Sequence, residues 1–248
     1  MIEVVGLSKS FGDKDVLKDV SIKFETGKTN LIIGASGSGK STIARCLVGL
    51  ISPEQGQVLY DGRDFISMSR KERRNIRTEI GFLFQGSALF DYMTVEENIR
   101  FPLDMLTNMS REEKDDRVNF VLDRVELPSA HKLFPSELSG GMKKRVGIAR
   151  AIASNPKYLF CDEPNSGLDP QTSIVIDTLI QEITKEYNIT TIVITHDMNS
   201  VVEIGDYIMF LHHGVKWWEG TKEEILKTDN QEVLDFVYAS EFMKNHRK

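Results

Sequence analysis

The sequence predicts an α/β fold. It has a core of buried strands and helices, an N-terminal antiparallel β subdomain, and an α-helical subdomain inserted over about residues 91–153. Three observations lead to that reading. Short apolar runs such as those in "GKTNLIIG" and "KYLFCDE" are followed by helical patterns, as buried strands in βα units are. Val20, Ile22 and Phe24 instead alternate with polar residues, the period of a half-buried strand. Between the two βα regions, residues 91–153 read mainly as helix.

In chain order, residues 2–11 read as a strand, and the alternating segment ending at Phe24 is the next. A strand at 31–33 runs into the glycine turn of "GASGSGKST" and then a helix over about 40–49. "GQVLYDG" is a further short strand, and "SRKERRNIRTEIGFLFQ" a charged helical turn leading into the apolar run 80–84. Thr94 with Glu97, and Ser110 with Glu113, have capping-box spacing, so a helix starts after each, the second running to about Val125. Ser139 can cap the next helix, which extends through Ala153. The βα alternation then returns: strand "KYLFCDE", helix 171–187, strand "ITTIVITHD", short helix 198–204. "DYIMFLHHG" and "VKWWEG" are strands joined by a tight turn, with Trp217 and Trp218 on opposite faces. The main domain spans 1–229, and a helical tail, 230–248, ends in basic residues. Val233, Leu234, Phe236 and Val237 make the tail apolar; it can pack on its own domain or reach a second subunit, and a dimer-strengthening role is expected.

The 248 residues suffice for one large domain or a core with a lobe attached. An apolar content of 40% and a charged content of 27% are ordinary for a globular protein. The net charge of −6 offers no basic footprint, so no nucleic-acid partner is expected. Cys46 and Cys161 lie far apart in apolar surroundings and are expected to be buried free thiols. "MIEVVGLSKSFG" does not read as a signal peptide. No stretch approaches the roughly 20 apolar residues that span a bilayer. A role at a membrane would need another chain to supply the span.

"GASGSGKST" fits G-x-x-x-x-G-K-[ST] at Gly34, Gly39, Lys40 and Ser41, after a strand and before a helix, the context of a phosphate-binding loop. Glycines let backbone N–H groups turn toward phosphate oxygens, and the helix start adds about half a positive charge. Lys40 can reach β- and γ-phosphates, and Ser41 can offer its hydroxyl to Mg²⁺. A second glycine pair, in "SELSGGMKKRVGIARA", also precedes a helix start, so the chain has two places suited to an anion.

Asp162 and Glu163 end the buried strand of "YLFCDEP", where open sheets bind ligands. Asp162 can hold Mg²⁺ through water, and Glu163 can orient or deprotonate an attacking water. A bare acidic pair also reads as two solvated loop carboxylates; the phosphate loop upstream favours the site. Gln85, after the run 80–84, can bind Mg²⁺ and the lytic water or be an ordinary loop residue. His196 can contact a γ-phosphate or be structural, and Asp169 in "SGLDP" can simply cap a helix. His131, His212, His213 and His246 have no partner in the pattern.

In this order (phosphate loop, Gln85, "LSGGM", "YLFCDE", "SGLD", His196) the motifs resemble those of the ATP-binding-cassette ATPases, the nucleotide-binding subunits of membrane transporters. The resemblance covers the chain to about Lys227. It implies a P-loop NTPase (RecA-like) core, ATP and Mg²⁺ as cofactors, and ATP hydrolysis coupled to transport. It implies that Phe11, which by pattern alone reads as core, stacks on adenine. Gly34, Ser36, Gly37, Ser38, Gly39, Lys40, Ser41 and Thr42 become the phosphate loop. Ser41, Gln85 and Asp162 become metal ligands, Glu163 the catalytic glutamate, His196 the switch histidine, and Asp169 part of the D-loop. Two copies are implied to pack head to tail around two ATP molecules, each covered by the other copy's Ser139, Gly140 and Gly141. That would give the second anion site its use. The resemblance also implies a transmembrane permease subunit and a peripheral place on the cytoplasmic face of the inner membrane. Met142 stands where the family usually has glutamine, which removes one side-chain contact but keeps the backbone donors. Ala35 and Asn165 also occupy positions that often differ among relatives.

Two segments, "LSGGMKKRVGIARAIASNP" and "GSALFDYMTVEENIRFPL", resemble a subgroup. These are the ATPases of the maintenance-of-lipid-asymmetry system and related transporters working with mammalian-cell-entry domain proteins. That implies a phospholipid or other hydrophobic cargo, with a mammalian-cell-entry domain protein and a small regulatory subunit as further partners. The alternative is a small-solute importer for amino acids or metals; a soluble cassette protein fits less well, because the chain has one cassette and no heptad run. Leu89, Phe90, Tyr92 and Met93 can receive a short helix from a membrane partner, with about half of them expected to pack the insertion instead. "RKERRNIR" reads as a lipid-facing or a merely solvated helix face.

Overall fold

A computed structural model describes residues 1–238. β1 (Ile2–Phe11) and β2 (Lys14–Phe24) pair antiparallel. With β4 (Gln55–Tyr60) and the two-residue β5 (Arg63–Asp64) they form a sheet of order β2-β1-β4-β5. The alternation read in β2 buries Val20, Ile22 and Phe24. β5 was not anticipated, since two residues carry no period.

The second sheet holds β3 (Thr29–Ile33), β6 (Ile80–Leu83), β7 (Tyr158–Asp162), β8 (Thr190–Ile194), β9 (Tyr207–His212) and β10 (Val215–Gly220), in the order β10-β9-β3-β8-β7-β6. All pairs are parallel except β9 with β10. β3, β7 and β8 are buried along their whole length, so alternate residues serve two different cores. Ile32, Tyr158, Phe160, Ile192 and Ile194 face the antiparallel sheet and α1 (Lys40–Leu47). Leu31, Ile33, Leu159, Cys161 and Val193 face the helical side.

That side is built by α3 (Val95–Leu106), α4 (Arg111–Arg124), α5 (Gly140–Ile152), α6 (Pro170–Glu186), α7 (Met198–Ile204), α8 (Lys222–Ile225) and α9 (Gln231–Val237). The two expected capping boxes form. Thr94 and Ser110 accept from the N–H groups of Glu97 and Glu113, whose carboxylates accept in return at 2.7 and 2.6 Å. Each such cap is worth about 1 kcal/mol, and together they fix where the insertion's helices begin. Arg117 of α4 donates to the carbonyls of Ile152 and Ala153, tying α4 to the end of α5.

Cys46 and Cys161 are buried and free, one in each core. Trp217 is exposed, whereas Trp218 packs on the helical core. "RKERRNIR" forms α2 (Arg70–Thr78), which buries Ile76 and lends Arg73 and Arg77 to carbonyls of Ile66 and Gly49. The residues after Gln85 divide: Leu89 packs on the helical core, and Tyr92 is 75% exposed. In the tail, Val233 and Val237 are buried in this chain's own core, and Phe236 lies 5.2 Å from Phe210. Those residues of the apolar cluster are therefore occupied within the chain. The basic end of the tail, residues 239–248, lies outside the described residues.

Phe160 is wholly buried on the strand next to the sheet's centre. Phe160→Ala is expected to destabilise the fold by about 3–5 kcal/mol, read as a lower urea midpoint at unchanged slope.

Candidate functional site

β3, β6, β7 and β8 run parallel, so their carboxyl ends open on one edge of the sheet. The loop after β3 starts at Gly34, with φ of 148°. A Cβ there would lie 2.2 Å from the Leu211 carbonyl oxygen, so only glycine can enter this turn. Lys40, the first residue of α1, is buried and donates from Nζ to the carbonyls of Gly34 at 2.8 Å and Ala35 at 3.0 Å. Burial lowers its pKa, opposed by the charges of Glu163 and Asp162. No side chain caps α1, and its first turn holds no acidic residue, which leaves its leading N–H groups to a ligand. Among the described residues Ser38 Oγ, buried there, has no hydrogen-bond partner.

β7 delivers the acidic pair. Asp162 accepts from Ser41 Oγ at 3.3 Å. Burial raises the Asp162 pKa, and the Ser41 hydrogen bond opposes the rise. Glu163 follows in a left-handed conformation (φ 50°), with its N–H on the Ile194 carbonyl at 2.9 Å. Its carboxylate meets Nδ1 of His196, which follows β8, at 2.9 Å through Oε1 and 2.8 Å through Oε2. An ionised carboxylate only accepts, so Nδ1–H donates and Nε2 is left to face a ligand. Gln85, after β6, completes the arrangement. Ala35, Ser36, Lys40, Gln85, Glu163 and His196 line one open cleft of about 1200 Å³, with Phe236 and Val237 of α9 also on its wall.

The other expected residues stand outside that cleft. Ser139 caps α5, accepting from the Met142 N–H at 3.2 Å, and both Ser139 and Gly140 are exposed. This start of α5 lies against the start of α6: a Cβ on Gly141 would be 2.6 Å from Thr172 Cγ2. Asp169 caps α6 through the N–H groups of Gln171 and Thr172 and accepts from Thr172 Oγ1 at 2.6 Å. Phe11 is half exposed at the end of β1, with Lys9 Nζ 5.0 Å from its ring centre.

The family pattern described as "ABC transporter" matches residues 17–166. The chain belongs to the ABC transporter family. It is 40% identical over 95% of its length to a probable ribonucleotide transport ATP-binding protein, mkl, of Mycobacterium leprae, covering 68% of that protein. It is 36% identical to the intermembrane phospholipid transport ATP-binding protein MlaF of Haemophilus influenzae, over 96% of this chain and 90% of that one. It is also 37% identical to the methionine import ATP-binding protein MetN of Campylobacter jejuni, over 99% and 78%. A dimeric ATP-binding cassette in a post-hydrolysis state, bound to ADP and Pi, superposes with a TM-score of 0.82 at 33% identity, over 90% of this chain and 99% of that one. The ABC chain is thus an ATP-binding ATPase of a transporter, with the α/β cassette fold.

The donor set around Ser41 suits a magnesium ion. Ser41 and Asp162 offer hard oxygens in contact with one another, Gln85 lines the cleft with Lys40 and Glu163, and no group of three or more His, Cys, Asp or Glu that could hold a metal occurs among the described residues. Mg²⁺ uses few protein ligands, completing its shell with water and phosphate oxygens. Two buried charges escaped the sequence reading of the cassette. Lys144 of α5 donates to the carbonyls of Gln85 and Glu163. Asp177 of α6 is pushed up to about 6 by burial, against hydrogen bonds from Ser200 and Asn165, and its Oδ1 has no partner among the described residues. The only signal for either was a charge amid buried apolar neighbours on a helix.

Asp177 binds its proton more tightly folded than unfolded, so stability falls as pH rises from about 4 toward 6. Asp177→Asn is expected to be near neutral at pH 4 and to stabilise the fold at pH 7.5 by up to about 3 kcal/mol. Urea unfolding at the two pH values measures the difference.

Proposed function

We propose that this ABC ATPase closes on ATP as a head-to-tail pair of copies and drives the movement of phospholipid, or another hydrophobic molecule, between membranes. The hydrolytic part rests on one observation: Lys40, Gln85, Glu163 and His196 line a single cleft. Lys40 exchanges the Gly34 and Ala35 carbonyls for β- and γ-phosphate oxygens, a charge-assisted and stronger pairing. The start of α1 and the unpartnered Ser38 hydroxyl complete the cradle formed by Gly34, Ser36, Gly37, Gly39 and Thr42, and Phe11 stacks on adenine. Ser41, Asp162 and Gln85 hold Mg²⁺, which when bound neutralises charge on the phosphates. Glu163 accepts the proton of the attacking water, its carboxylate aimed by His196, which in its imidazolium form donates from Nδ1 to Glu163 and from Nε2 to a γ-phosphate oxygen.

The exposed start of α5 has its use across the pair. The Ser139 hydroxyl accepts from Met142 and still has its own proton to donate. With the N–H groups of Gly140 and Gly141, it covers the other copy's nucleotide, beside Asp169. The dimeric relative supports this arrangement. Next to Gln85, an apolar groove of about 370 Å³ lined by Phe82, Phe84, Phe90, Phe101, Pro102 and Leu106 suits a short helix of a transmembrane permease. Among the described residues no helix is long and apolar enough to cross a membrane. In this reading the cassette attaches peripherally, through that permease, to the cytoplasmic face of the inner membrane.

The phospholipid cargo is favoured by the two local segments and by the phospholipid-transport relative. A mammalian-cell-entry domain protein and a small regulatory subunit belong to the same reading. The methionine-import relative supports a small-solute importer as the second reading.

Lys40→Ala is expected to weaken ATP binding about 10- to 100-fold, measured by fluorescent-nucleotide titration, because a charged phosphate contact is lost. Glu163→Gln is expected to bind ATP, lose turnover and accumulate paired copies; normal hydrolysis would remove Glu163 as the base. The same variant, affinity-purified from native membranes, decides the cargo by mass spectrometry. A permease with a mammalian-cell-entry domain protein and enriched phospholipid supports the lipid reading. A permease with a periplasmic solute-binding protein moves it to small-solute import, and ribosomes or DNA-repair proteins without a permease overturn the transporter role.

A further inference from the structure

We propose that Lys144 is a positioning residue for ATP hydrolysis. Its buried ammonium ties the backbone at Gln85 to the backbone at Glu163, and so sets the relative placement of two side chains that address the attacking water. The inference rests on the roles given to Gln85 and Glu163 above.

Lys144 is 4% exposed, a rare state for a lysine. No carboxylate forms an ion pair with it among the described residues. Its Nζ donates instead to two carbonyls, that of Glu163 at 3.1 Å and that of Gln85. These follow two neighbouring strands, β7 and β6. A buried ammonium whose hydrogen bonds go only to carbonyls, with the Glu163 and Asp162 charges near it but not paired with it, is costly, and an apolar chain of equal length would pack as well. Packing therefore does not explain the charge; the bridge does.

Both ends of the bridge lie at unusual backbone. Glu163 has φ of 50°, and Ser87 and Ala88, just after Gln85, have φ of 62° and 47°. Non-glycine residues in this region cost about 1–2 kcal/mol each and persist where surrounding contacts impose them. The contacts come from α5. Arg150 donates to the Ala88 carbonyl at 2.8 Å and the Ser87 carbonyl at 2.6 Å. Gly147 admits the loop so closely that a Cβ would stand 2.7 Å from Leu83 Cδ1 and 3.3 Å from Ser87 Cβ. Arg150 and Gly147 hold the turn after Gln85, and Lys144 alone among these three also holds Glu163. A shift of the Gln85 loop, which borders the apolar groove, is thus passed to the catalytic glutamate through one cation on the helix that begins at Ser139.

Three variants of the full chain test this, with ATPase rates normalised to sites titrated by a non-hydrolysable ATP analogue. Lys144→Met keeps length and removes the donor. It is expected to lower kcat about 10- to 100-fold, the scale of an ångström-level misplacement, with KM for ATP and analogue affinity unchanged. Lys144→Arg keeps a cationic donor and is expected to recover most of the rate. Lys144→Gln, which donates without charge, is expected to fall between them, and it carries the test if the methionine variant does not fold. A wild-type kcat in the variant lacking the ammonium overturns the proposal. So does a loss explained by fewer titratable sites or a lower Tm that arginine does not rescue. Glu163→Gln is run alongside. If it hydrolyses normally, the site reading itself fails; if it is inactive while Lys144→Met is normal, only the role of Lys144 fails.

Discussion

Parallel pairing of β6, β7, β8 and β3 is the constraint on which the rest of this molecule depends. Parallel strands all end on the same edge, and there the backbone groups lose their ladder partners and become free to bind or turn. The register Asp162 opposite Ile194, and Ile32 opposite Ile194, brings three strand ends level. Residues as distant in the chain as Lys40, Gln85, Glu163 and His196 therefore share one cleft.

The electrostatics follow from that edge. Burial drives the Lys40 ammonium down in pKa and the Asp162 carboxyl up, so each is displaced toward its uncharged form. Phosphate oxygens beside the ammonium and a divalent cation beside the carboxylate act against both displacements. The protein alone holds these charges at a cost, and the proposed magnesium nucleotide would offset it. The Glu163–His196 pair stands differently, with the glutamate largely covered and the imidazole open to solvent. Its partner is already in place in the ligand-free chain.

Much of this was legible in the sequence, for a physical reason. The phosphate loop is a local object: strand, glycine turn and helix are contiguous, and Gly34 to Ser41 need no distant partner to be recognised. Capping boxes at Thr94 and Ser110 are equally local. What could not be read depends on contacts between remote residues. Lys144 appeared only as one of several basic residues, because its acceptors lie 59 and 19 positions away. The left-handed backbone of Glu163 has no residue signature, unlike a glycine. The tail's apolar residues announced burial, but not that Phe210 and the helical core would cover them. For Asp169 the pattern offered a helix cap or a nucleotide contact; the cap is present, and its exposed position leaves the second use open to a pair of copies.

The same strand order has a consequence for biosynthesis. β3, which launches the phosphate loop, pairs only with β8 and β9. Those strands emerge from the ribosome roughly 160 residues later, a wait on the order of 10–30 s at roughly 5–20 residues per second. The antiparallel pairs of β1 with β2 and β4 need no such wait, since all three strands precede residue 61. The nascent chain therefore makes its loop sequence early and gives it shape late. A chain stalled before β8 has the complete phosphate motif and no sheet edge on which to mount it.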